Sequence, residues 1–146
     1  MIGARQRGGV ASAYRTVEGI GAAPEDFMKM GLDAARQLLL RAELAIRANE
    51  RIEKAQALAS ASSIVEFMLG LSGTAPGALS ECLASVYQYV LAAILKGNAR
   101  DDTEAVVAAR VALDELASTW RTIFPDTIGW EESGPEPELS GRRDYA

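Results

Sequence analysis

Adjacent acids at Asp114-Glu115 and Glu131-Glu132 come closest to a general acid–base pair in this chain. Gly8-Gly9 and Gly19-Ile20-Gly21 come closest to a phosphate cradle, and Cys82 is the single thiol. None of these is placed for chemistry. Neighbouring acids on a helix surface or in a polar tail are explained by solvation alone. A glycine cluster cradles phosphate when it follows a strand and opens a helix, and no strand-like alternation precedes either cluster. Cys82 stands alone within an apolar helical pattern, where a free cysteine behaves as a small buried hydrophobe. The chain has no histidine, so the usual general base and the usual metal ligand are both missing. A carboxylate-bridged metal site of the ferritin kind needs Glu-x-x-His pairs and cannot be built from it. No catalytic residue, metal site or cofactor is therefore expected, and the chain reads as a scaffold that presents surface.

Four helical segments present that surface. Pro24 opens the first, since a proline at the first helical position lacks only an N–H that would have no partner, and Glu25 and Asp26 suit the positive end of the helix dipole. Phe27, Gly31, Ala34, Leu38, Ala42 and Ala45 fall on one line, with Met28, Leu32, Ala35, Leu39 and Ile46 beside it. A break at Asn49-Glu50 leads to a second helix from about Arg51 to Leu69, with Leu58, Ile64, Val65, Met68 and Leu69 as its bulk. Gly70 to Gly77 carries turn chemistry. A third helix near Leu79 to Lys96 is closed by Gly97-Asn98, and Asp101 or Asp102 caps a fourth, with Glu104 completing a capping box if Asp101 is the cap. In that helix Val106, Ala109, Leu113, Leu116 and Trp120 alternate threes and fours until Pro125 stops it. The fold class predicted is all-α, an antiparallel up-and-down four-helix bundle over residues 24–124. A mobile N-terminal arm (1–23) precedes it and a disordered polar tail (125–146) follows.

Composition sets the range of partners. The chain has 146 residues, 49% of them hydrophobic, enough for one domain with a real core. Twenty acids against fifteen bases leave a net charge of −5, which opposes binding to nucleic acid or anionic membrane. No signal-peptide run is read at the N-terminus, and no later segment is expected to supply the roughly 20 apolar residues that span a bilayer. With one cysteine, no disulfide framework is possible, and a cytoplasmic location fits best.

Certain apolar residues stand off the core lines. Met30, Leu40 and Leu44 lie among the polar residues of the first helix, and Val107 and Val111 lie one turn apart on the fourth. Ala55, Ala59, Ser62 and Ser63 give the second helix a face without bulk, where another backbone could approach closely. Tyr87 and Tyr89 project to opposite sides of the third helix, so at most one is central in the core and the other is the better contact candidate. Trp120, ending a regular register, reads as the cap of the bundle.

The order of these residues resembles the FliS family of flagellar secretion chaperones. Tyr14 is similar to that family's N-terminal Tyr, and Ala22-Ala23-Pro24-Glu25-Asp26-Phe27 to its Thr-Ala-Ser-Pro-x-x-Leu. Met30 to Ala35, with Asp33 as the clean match, resembles Met-Leu-Tyr-Asp-Gly-Ala. Ile64, Glu66, Phe67 and Leu71 follow its Ile-x-Glu-Leu-x-x-x-x-Leu, and Tyr87-Gln88-Tyr89-Val90 its Tyr-x-Tyr-Met. Gly97-Asn98 with Asp102 and Leu116 with Trp120 resemble Ala-Asn-x-x-x-Asp and Leu-x-x-x-Trp. Leu32 departs from the family's Tyr, Gly31 from its Leu and Ala34 from its Gly, the pattern of a divergent member.

The resemblance implies a cytoplasmic chaperone that binds the disordered C-terminal segment of flagellin, blocks premature polymerisation and keeps it competent for flagellar export. It carries no cofactor, is a monomer or weak homodimer, and has the flagellar export apparatus as a second possible partner. The alternative is a bundle of the same ancestry that holds another flagellar protein, an anti-sigma factor or an export-gate component. The partner-binding residues expected on this reading are Tyr14, Met30, Leu32, Leu40, Leu44, Ala55, Ala59, Ser62, Tyr87 and Tyr89. Tyr14 is expected to cover part of the apolar groove in the free protein.

Overall fold

The computed structural model describes residues 24–125. Four helices follow one another: α1 (Pro24–Arg47), α2 (Arg51–Ser72), α3 (Gly77–Arg100) and α4 (Thr103–Ile123). The N-terminal arm and the polar tail, with Tyr14, Trp130 and Tyr145, lie outside the described residues.

Connections of two to four residues leave each helix no course but to fold back on its predecessor, and contacts across the chain fix the closure. At one pole Trp120 of α4 donates its indole N–H to the Glu25 carbonyl of α1 at 3.1 Å. At the other pole Lys54 of α2 donates to the Asn98 carbonyl of α3 at 3.2 Å. Each helix packs on two others, α1 on α2 and α4, and α3 on α2 and α4. The result is a four-helix ring, antiparallel at every seam.

The core is a column of Leu32, Leu39, Leu58, Val65, Met68, Leu83, Tyr87, Val90, Val106 and Leu113, all fully buried. The inward line of α1 runs through Met28, Leu32, Ala35, Leu39 and Ala42, one step round from the expected one; Phe27, Gly31, Ala34 and Leu38 sit at its margin. Trp120 is buried and stacks obliquely on Phe124 with ring centroids 4.7 Å apart, closing the pole as its register implied.

Several boundaries differ from the sequence reading. α2 continues through Gly70 to Ser72, which shortens the turn before α3 to four residues. α3 does not end at Gly97-Asn98 but runs to Arg100, and Asp101, in the left-handed region at φ 51°, closes it. Asp102 then caps α4, its carboxylate accepting from the Ala105 N–H at 3.1 Å. Ala105, not Glu104, therefore occupies the position a capping box needs. Gly97 is required for a different reason. A Cβ on it would lie 2.5 Å from Cγ2 of buried Val106, so a side chain there would push α3 off α4.

Two further corrections concern α3. Cys82 is exposed, because it lies off the inward line of Leu83, Tyr87, Val90 and Ile94. At 24 residues α3 is also long and apolar enough to cross a bilayer by length and composition, contrary to expectation. In the bundle α3 forms one wall and turns Leu83, Tyr87, Val90, Ile94 and Gly97 inward.

Candidate partner-binding surface

Of the ten residues singled out in the sequence, Tyr14 lies outside the described residues. Leu32 and Tyr87 are 0% exposed and offer a partner nothing on the closed bundle. Leu32 sits at the centre of α1's inward line, where the residue type matters for packing only. Tyr87 is the inward member of the tyrosine pair. Its hydroxyl donates to Met28 Sδ at 2.9 Å, and burial raises its pKa well above the ordinary tyrosine value. Tyr89 is 53% exposed.

Where the remaining seven fall follows from how neighbouring helices are registered. Between α1 and α4 the register is set by ion pairs: Arg36 Nε to Asp114 Oδ1 at 2.6 Å, and Arg110 Nη2 to Glu43 Oε1 at 3.1 Å. Asp33 extends the ladder to Arg36 at 3.1 Å and to Lys29. Arg47 completes it on Glu43 at 3.0 Å. Burial alone would raise the Glu43 pKa, but hydrogen bonds from Arg47 and Arg110 outweigh it and hold the carboxyl below its ordinary value. With this register Leu40 comes level with Val111, and Leu44 with Val107. Leu40, Leu44 and Val111 are exposed and Val107 half-buried, forming an apolar strip on the outer face of the α1–α4 seam.

The α2–α3 seam is registered by Lys54, whose ammonium, almost buried, reaches the Asn98 carbonyl and pairs with Asp101 Oδ1 at 2.5 Å. The Lys54 hydrogen bond and charge lower the Asp101 pKa. This places Ala55 and Ala59, exposed, and Ser62, half-buried, along one wall of a furrow. On the facing wall are Leu91, half-buried, and Leu95, 71% exposed. Ile52, near the start of α2, is 75% exposed.

The other two seams carry one spot each. Gly31 packs on Met68, since a Cβ at Gly31 would lie 2.7 Å from its Sδ, and the chain neighbours of this pair, Met30 on α1 and Phe67 on α2, are both exposed. Lys96 of α3 approaches Asp102 of α4 at 3.8 Å, which identifies the side of α3 that turns to α4. Tyr89 and Cys82 are exposed on that side. Sequence reasoning had not picked Ile52, Phe67 and Leu95 as contact residues. The signal for Leu95 was present: it is a large apolar residue one step off the line of Val90 and Ile94, as Leu40 is off that of Leu39.

All four grooves of the bundle thus expose apolar side chains. A recess at the Lys54 pole is lined by Ala45, Ile46, Asn49, Glu50, Arg51, Lys54 and Asp101, the last two being the ion pair that registers α2 on α3.

Comparison with known proteins places this scaffold. The profile of the family described as "Flagellar protein FliS" matches residues 9–127. The chain belongs to the FliS family. It is similar to the flagellar secretion chaperone FliS of Salmonella typhimurium (strain LT2), with 29% identity over 106 residues, covering 71% of this chain and 78% of that protein. It is also similar to the flagellar secretion chaperone FliS of Escherichia coli (strain K12), with 26% identity over 102 residues, covering 68% of this chain and 75% of that one. The FliS match takes in the whole of α1 to α4, so every seam described above lies within it.

Proposed function

We propose that this protein is an export chaperone that sheaths the C-terminal segment of unpolymerised flagellin in the cytoplasm and releases it to the flagellar export apparatus. The observation that carries the reading is the spread of exposed apolar side chains over all four grooves: Met30 and Phe67, Leu95 beside Ala55 and Ala59, Tyr89, and Leu40 with Leu44. A globular partner docks on one patch. An unfolded segment that winds round a bundle needs modest footholds on every side, some for side chains and some, like the alanine-lined furrow, for close backbone approach. Membership of a family whose relatives are named flagellar secretion chaperones supports the same reading.

The energetics suit reversible holding. Covering a half-exposed Leu, Met, Phe or Tyr contributes roughly 1 kcal/mol, so the six large side chains named above contribute about 6 kcal/mol together and offset the 2–5 kcal/mol or so that ordering a disordered segment costs. No single foothold dominates, so the segment can be peeled away stepwise. The bundle's net negative charge disfavours acidic partners and leaves the selection of the client to apolar pattern.

The test is a set of single substitutions, one per groove: Met30→Ser, Leu95→Ser, Tyr89→Ser and Leu40→Ser. Titrated calorimetrically with the flagellin C-terminal segment, each is expected to weaken binding about fivefold, the equivalent of roughly 1 kcal/mol. Loss of all binding in one variant with the other three unaffected would show a single docking site and contradict the wrapped arrangement.

A further inference from the structure

The strip on the α1–α4 seam lies within reach of the chain that leaves α4. Trp120 donates to the Glu25 carbonyl, so the end of α4 sits over the start of α1 and the chain beyond Pro125 sets out from the mouth of their shared seam. From Ile123 back to Val111 is about 18 Å along α4, and the Arg36–Asp114 and Glu43–Arg110 pairs put Leu40 level with Val111. On an extended course of about 3.3 Å per residue, Trp130 stands about 17 Å beyond Pro125. Its indole therefore arrives at Leu40 and Val111, and Glu131 and Glu132 arrive beside Arg41 and Arg47 of α1. Both arginines are exposed, and Arg41, one turn before Leu44, stands outside the ion-pair ladder. α3, the other neighbour of α4, has no basic residue from Gly77 to Leu95, so the cations that answer these two acids lie on the α1 side.

We propose that Trp130, in the chain's own C-terminal segment, occupies this strip in the free protein, its indole against Leu40 and Val111 and its neighbours Glu131 and Glu132 paired with Arg41 and Arg47. An indole buries on the order of 200 Å², the scale of a strip two helices wide and two turns long. A tether of a few residues holds the segment at a local concentration on the order of millimolar, so one aromatic anchor and two surface ion pairs fill the site without a large interface. The matched family profile stops at residue 127, so Trp130, Glu131 and Glu132 lie beyond the pattern shared with the relatives. Given the reading of the strip as a client foothold, on which this consequence rests, flagellin gains the α1–α4 groove only by displacing Trp130.

The test is fluorine NMR of the full chain labelled with 5-fluorotryptophan. Trp120 and Trp130 are its two tryptophans, so Trp130→Phe assigns both signals. Without any client, the Trp130 signal is expected well away from its position in urea. Leu40→Ser and, separately, Val111→Ser should return it to the urea position, and Arg41→Glu should move it the same way, while the signal of buried Trp120 and the far-UV circular dichroism stay unchanged. Leu95→Ser, on the α2–α3 seam, should leave it in place. Adding the unlabelled flagellin C-terminal segment to the parent should carry it to the urea position. A Trp130 signal already there in the free protein, or one indifferent to both Leu40→Ser and Val111→Ser, would overturn the docking, and neither result involves a client. A segment that binds by calorimetry and leaves the signal unmoved would overturn the displacement alone. A segment that does not bind would remove the chaperone reading, and the displacement with it, while the docking stands.

Discussion

Replacing Gly97 by alanine isolates the close approach of α3 to α4. In an ordinary helix interior the change stabilises by about 1 kcal/mol, because glycine spends more backbone entropy on folding. Here the new methyl would stand 2.5 Å from Cγ2 of Val106, a contact that cannot persist. Val106 is fully buried and β-branched in a helix, so it cannot rotate away, and relief requires the two helices to move apart. Overpacking of this kind costs roughly 1–3 kcal/mol. Subtracting the propensity gain leaves a net loss of about 1 kcal/mol, or a fall in Tm of about 4–8 °C for a domain of this size.

Gly31 supplies the contrast. Its added methyl would meet Met68 Sδ at 2.7 Å, near the end of a flexible thioether, so Gly31→Ala is expected to be neutral or slightly stabilising. In the Val106→Ala background only the propensity gain remains, so Gly97→Ala should stabilise by about 1 kcal/mol, a coupling of about 2 kcal/mol between the two sites. The assay is thermal and urea denaturation of the four proteins of that cycle together with Gly31→Ala. A Gly97→Ala protein more stable than its parent, or a penalty that survives Val106→Ala, would refute the packing argument.

Other expectations follow from single groups. Because the folded-state pKa of Glu43 is depressed, its bonds to Arg47 and Arg110 contribute stability that is complete above the ordinary carboxylate value of 4.5 and lost as pH falls through the lower folded value. Glu43→Gln should therefore flatten the acid limb of the stability curve, and an unchanged limb would count against the ladder. Tyr87 behaves in the opposite sense: above its ordinary value of 10.0 the unfolded chain releases a proton that the buried hydroxyl keeps, so stability falls by up to about 1.4 kcal/mol per pH unit. Tyr87→Phe should flatten the alkaline limb, and equal slopes would mean the hydroxyl is not buried. The exposed Cys82 thiol should react with an aromatic disulfide reagent in the native protein as completely as in urea, whereas a reaction that waits for unfolding would place it inside.

The bundle was legible because its signals are local. Pro24 before two acids, the threes and fours from Val106 to Trp120, and Pro125 each act on their own few residues, and the structure follows them. Gly97 was misread because a glycine that ends a helix and one that lets a neighbour approach are the same letter; only the position of Val106 separates them. Leu32 and Tyr87 were offered as contacts although both point inward, since a shift of one step in the assumed centre of a helix face moves its margin residues inside. Leu40, Leu44 and Met30 were found on the surface by standing off the core line. Their grouping into grooves was not readable, because it depends on the register of one helix against another. That register is set by pairs as distant in sequence as Arg36 with Asp114 and Lys54 with Asn98.

The central claim is that the four grooves hold the C-terminal segment of flagellin. Size-exclusion chromatography with mass detection, on mixtures of this protein with intact flagellin and with flagellin lacking that segment, tests it most directly. The account predicts a stoichiometric complex with the intact protein and separate peaks with the truncated one. Equal binding of both forms, or of neither, would contradict it.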